Sequence, residues 1–131
     1  RFDKVYCDTK PTSPGGIPFL IGGSSEAAAK RAGLRGDGFF PYTISPEDLT
    51  KRMETVKATA KENGRNPDEL SLTIWPHSYK AGGTFDFELI KQYADIGTDR
   101  LIVAAFEAGD DSMDGMRRFL ADYQDKIIQK L

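Results

Sequence analysis

Ile17-Pro-Phe-Leu-Ile-Gly-Gly-Ser-Ser-Glu-Ala-Ala-Ala-Lys-Arg-Ala-Gly33 carries a short apolar run through two glycines into a capped, alanine-rich helix. A strand that turns directly into a helix predicts an α/β fold. The layout is also that of an anion site. The amides of Gly23, Ser24 and Ser25 are expected to lie unpaired at the helix start, where the helix dipole adds partial positive charge. Ser24 and Ser25 bring hydroxyls as well, and Glu26, which complements the dipole, is expected to point away from a bound phosphate. Taken alone the stretch serves equally as a structural turn, since every strand-to-helix connection needs a turn and a cap.

Three further apolar runs follow, and helical patterns separate the four: Phe19–Ile21, Phe39–Tyr42, Leu72–Trp75 and Leu101–Ala105. Strands separated by helices run parallel, because a crossover helix returns the chain to the same end of the sheet. Asp37-Gly38 has the composition of a hairpin turn, but the helical residues before it make it a helix-to-strand loop. Ser45-Pro46-Glu47-Asp48 opens a helix with a cap, a proline and early carboxylates, and Leu49, Met53, Val56 and Ala60 fall on one of its faces. Asn63-Gly64 closes it. A third helix starts near Asp86, buries Leu89, Ile90, Tyr93 and Ala94, and stops at Gly97. The last starts near Asp114, with Met116, Leu120, Tyr123, Ile127 and Leu131 as its expected stripe.

Two segments result: a lead-in of residues 1–17, rich in proline and glycine, and an α/β unit over residues 18–131. A chain of 131 residues with 39% hydrophobic and 29% charged residues has the composition of one globular domain. No apolar run approaches the roughly 20 residues of a spanning helix, and no signal-peptide pattern is present, so no membrane partner and a cytoplasmic setting are expected. Net charge is −2 with both signs interspersed, which gives no basic stripe for a nucleic-acid backbone. The lone Cys7 supports neither a disulfide framework nor a metal site. The start at Arg1 rather than methionine is that expected of a piece of something longer.

Ligands of parallel α/β folds collect at the carboxyl ends of the strands. That directs attention to Gly22–Ser25, Tyr42–Ser45, Pro76–Tyr79 and Phe106–Gly109. Tyr42 stands where its phenol can reach an anion at the neighbouring turn, or where it simply packs at the rim. His77, the only histidine, stands where a general acid or a substrate contact would. A lone histidine beside a proline is more often incidental. Glu107, Asp110 and Asp111 read as solvated or capping residues. No catalytic residue is assigned by any motif, and no metal motif or P-loop lysine is present.

Pro18-Phe-Leu-Ile-Gly-Gly-Ser-Ser25, Ala32-Gly-Leu-Arg-Gly-Asp-Gly-Phe-Phe-Pro-Tyr42, Ser45-Pro-Glu-Asp-Leu49 and Gly64-Arg-Asn-Pro-Asp-Glu-Leu70 resemble the C-terminal half of the bacterial-luciferase-like monooxygenase family. Within it they are most similar to oxidoreductases that use the deazaflavin coenzyme F420. The resemblance implies a (β/α)8 TIM barrel of which this chain supplies strands five to eight. It implies that Gly22, Gly23, Ser24 and Ser25 hold the cofactor phosphate, with Tyr42 as a further contact. F420 is the expected cofactor, with FMN, which would make a flavoprotein, as the alternative, and a small molecule is the expected substrate. A complete barrel takes about 250 residues. The inner-facing residues among Leu20, Leu72, Ile74, Ile102 and Ala104 are therefore expected to be covered by the missing N-terminal half-barrel or by a second copy in a homo-oligomer. Two other readings stand beside this one: an enzyme that holds a phosphorylated metabolite in the same turn, and a non-catalytic assembly module.

Overall fold

A computed structural model describes residues 3–6, 8–76, 79–80, 84–104, 107 and 109–131. Strand β1 (Leu20–Gly22) leads to helix α1 (Glu26–Arg35), β2 (Gly38–Phe40) to α2 (Pro46–Glu62), and β3 (Ser71–Ile74) follows a single 3-10 turn. A two-stranded hairpin, β4 (Tyr79–Lys80) and β5 (Thr84–Phe85), precedes α3 (Phe87–Asp95), β6 (Arg100–Leu101) and α4 (Met113–Lys126). The main sheet has the order β1-β2-β3-β6 with every pair parallel, as expected for strands joined by helices.

Each long helix begins at a side-chain cap. Ser25, Ser45, Asp86 and Ser112 accept from the backbone N–H three residues on, which satisfies one donor that a helix start leaves without a partner. Helices α1 and α2 cross closely at Gly33, where a Cβ would stand 2.4 Å from the Val56 carbonyl oxygen. Arg65 then locks the end of α1, its guanidinium donating to the carbonyls of Ala32, Gly33 and Gly36.

Pairing register fixes which strand residues face the helices. Ile21 aligns with Phe39, Phe39 with Leu72, and Ile74 with Leu101, and all of these belong to the core beneath the helices. There they meet Ala28, Ala32, Leu49, Val56, Ala60 and Tyr93. Of the candidates for the inner face, Leu72 and Ile74 are thus on the helix side. Alternation places Leu20, Gly22, Gly38, Phe40, Ser71 and Thr73 on the opposite side. Leu72-Thr73-Ile74-Trp75 has a bulky side chain on both faces, so its sequence did not say which was which.

The fourth strand is shorter than its apolar run. β6 ends at Leu101, after which Ile102 makes one further ladder bond to the Ile74 carbonyl. Helix α4 buries Gly115, Phe119 and Tyr123, with Ile127 just beyond its end. Leu120 and Leu131, expected on its buried stripe, are 54% and 53% exposed. The reason is the β4–β5 hairpin, which the sequence reading did not anticipate. Phe85 of that hairpin packs against Phe119 and Tyr123 at centroid distances of 5.7 and 5.3 Å and turns that line of α4 inward.

Candidate functional site

The β1–α1 turn is built as the sequence reading expected in most of its parts. Gly23 has φ +107°, a conformation that costs glycine little and a side chain much. Its amide, however, is not unpaired: it donates to the Phe40 carbonyl at 3.3 Å, because the β1–β2 ladder runs one residue past the strand. The amides of Ser24 and Ser25 have no acceptor among the described residues. The Ser25 hydroxyl caps α1 through Ala28 N–H at 3.2 Å, and the Ser24 hydroxyl donates to the Tyr42 carbonyl.

Two charged side chains decide the electrostatics of this turn. Glu26 lies along the helix and pairs with Lys30 Nζ at 2.7 Å. That hydrogen bond and charge hold its carboxyl below the ordinary value, with a smaller contribution from Arg52. Arg52 itself, on α2, donates from Nε to the Ser24 carbonyl at 3.0 Å. It brings a guanidinium to the turn from 28 residues away, and only the packing of α2 on α1 could place it there. The donor set (two amides at a helix start, a glycine turn and an arginine, with the nearest acid neutralised) suits a phosphate.

The next strand end is held under strain. Thr43 has φ +40°, which is rare for a β-branched residue. Hydrogen bonds clamp it on both sides: Ser24 to the Tyr42 carbonyl, and Tyr93 Oη to the Ile44 carbonyl at 2.5 Å. Burial raises the Tyr93 phenol pKa, which keeps it a donor. The Tyr42 ring stands edge-on to Trp75 at 5.7 Å, and the Trp75 indole donates to Glu107 Oε1 at 2.7 Å. The carboxyl ends of β1, β2 and β3 therefore carry Ser24, Tyr42 and Trp75 in one neighbourhood, and Glu107, from the segment beyond β6, joins them through Trp75.

Of the residues singled out from the sequence, Gly22, Gly23, Ser24, Ser25 and Tyr42 meet at this end of the sheet. His77 lies outside the described residues. Arg52 and Trp75 were not singled out from the sequence, and Glu107 was read as solvated or capping. Trp75 beside a strand end was the one available signal. Asp110 turns back onto its own helix start, accepting from Ser112 N–H and pairing with Arg118, which hold its carboxyl below the ordinary value. No cluster of metal-ligating side chains occurs among the described residues. No helix among them is long and apolar enough to cross a membrane.

The family model of luciferase-like monooxygenases matches residues 1–80, which include β1, β2, β3 and the glycine turn. A solved coenzyme F420-dependent tetrahydromethanopterin reductase from Methanopyrus kandleri has the same fold, with a TM-score of 0.62 at 14% identity. The match covers 87% of this chain and 51% of the reductase, so the chain spans about half the length of that structure. No curated protein matches the chain.

Proposed function

The chain belongs to the luciferase-like monooxygenase family, and from that premise we propose that it is the part of an oxidoreductase that grips the phosphate-bearing tail of a redox cofactor. Coenzyme F420 is the first candidate and FMN the second. The observation that carries this reading is the β1–α1 turn, where the Ser24 and Ser25 amides stand under the dipole of α1 with Arg52 docked on the Ser24 carbonyl. When bound, the cofactor ring would supply the hydride-transfer chemistry of such an enzyme. The residues of this chain bind and orient the tail: Gly23 lets the phosphate approach the backbone, Ser24 and Ser25 donate to it, and Arg52 offsets its charge.

The four parallel strands correspond to half of a (β/α)8 barrel, in this reading strands five to eight. Leu20 and Phe40 on the half-buried inner face are then covered by the missing half-barrel or by a second copy. Sedimentation of the 131-residue chain is expected to show self-association. A monodisperse monomer that binds no hydrophobic dye would remove this part of the reading.

Cofactor grip is tested by titrating F420 and FMN into the chain with inorganic phosphate as competitor. Saturable binding that phosphate displaces is expected for one of them. Gly23→Val, which forces a β-branched residue to φ +107°, is expected to weaken it at least tenfold. Unchanged affinity in that variant would exclude the turn. Binding of phosphate alone, with neither cofactor, would favour a phosphorylated metabolite; binding of none would favour an assembly module.

A further inference from the structure

We propose that Tyr42, Trp75 and Glu107 form a substrate site for a planar ring that carries an N–H or cationic nitrogen donor; this rests on the reading of the adjacent turn as the phosphate grip. Trp75 directly follows β3 and Tyr42 lies two residues beyond the neighbouring parallel β2, so both stand at the same end of the sheet as Ser24 and Ser25. Their rings meet at 65° and 5.7 Å, and Tyr42 is 59% exposed with Trp75 half-buried behind it, so the Tyr42 ring presents aromatic surface at the mouth of the strands. Aromatic surface of that kind receives flat ligands by stacking or edge contact.

Glu107 gives the site its polarity. One of its oxygens takes the indole N–H at 2.7 Å, which fixes the carboxylate beside the ring. A carboxylate has about four acceptor positions, so the indole, its one donor among the described residues, leaves it able to accept from a ligand. Its charge also says which end of a ligand belongs there. An anionic phosphate tail beside Glu107 would be repelled, whereas the turn with Arg52, two strands away, attracts it. At roughly 4.8 Å between strands the two places are about 10 Å apart, room for one ligand's tail and another ligand's head.

Trp75 is the only tryptophan in the chain, so its fluorescence reports on this site alone. Benzamidine, flat and cationic, and benzoate, flat and anionic, are titrated into the 131-residue chain. Benzamidine is expected to change the emission saturably and benzoate to leave it unchanged over the same range. Glu107→Gln keeps an acceptor for the indole and is expected to weaken benzamidine roughly tenfold or more, with unaltered circular dichroism. No saturable response to benzamidine, or an equal response to benzoate, overturns the proposal on the unmodified chain without any variant. Equal affinity in Glu107→Gln overturns the role of the carboxylate. Phosphate binding followed in parallel by 31P NMR separates the two readings: intact phosphate binding without a benzamidine response removes this site and leaves the cofactor grip. A benzamidine response without phosphate binding removes the grip and, with it, the assignment of the ring site to a substrate of this enzyme.

Discussion

On the helix-covered face of the sheet Ile21, Phe39, Leu72 and Ile74 lie beneath α1, α2 and α3, whereas the opposite face carries Gly22, Gly38, Ser71 and Thr73 with Leu20 and Phe40 among them. The first face is uniformly apolar and closed by the chain's own helices. The second is small and polar in places, and its larger side chains stay half-buried. The packed core is thereby confined to one side of the sheet, and the proposed ligand site lies at the edge of the other. Close packing can be optimised on one side, while the other, in the proposed reading, is filled by groups from elsewhere and opens at its carboxyl edge onto Ser24, Tyr42 and Trp75.

The largest test of that contrast is Phe39→Ala. Phe39 is fully buried on the helix side, and its truncation is expected to cost about 3–5 kcal/mol in denaturant unfolding. A cost near zero would mean that the core beneath the helices does not hold the fold. The smallest is Thr73→Val on the other face. The Thr73 hydroxyl is buried without a hydrogen-bond partner among the described residues, so replacing it with a methyl of the same shape is expected to raise stability by about 1 kcal/mol. A loss of stability would show that something covering the inner face bonds that hydroxyl, and would sharpen the contrast into a statement about the partner proposed to cover that face.

Much of the first face was legible in the residues. Leu49, Met53, Val56 and Ala60 repeat at helical spacing, and all four are buried where that spacing put them. Ser45 and Asp86 cap the helices they were expected to start. Helix α4 was less legible, because its inward line depends on Phe85 in a hairpin whose two-residue strands carry almost no periodic signal. At the site, the glycine turn and its serines were visible as a local pattern. Arg52 and Glu107 were not, since each reaches its partner across about thirty residues of chain.

The sequence by itself determined the parallel α/β class, the caps, and the turn at Gly22-Gly23-Ser24-Ser25, because each depends on contacts within a few residues or on a repeat of fixed period. Only the tertiary structure decided which side of each strand meets the helices, because a period of two names two faces without saying which is covered. It also decided that an arginine from α2 attends the turn and that Trp75 and Glu107 stand as a pair, because side-chain hydrogen bonds between distant segments exist only once packing has brought those segments together.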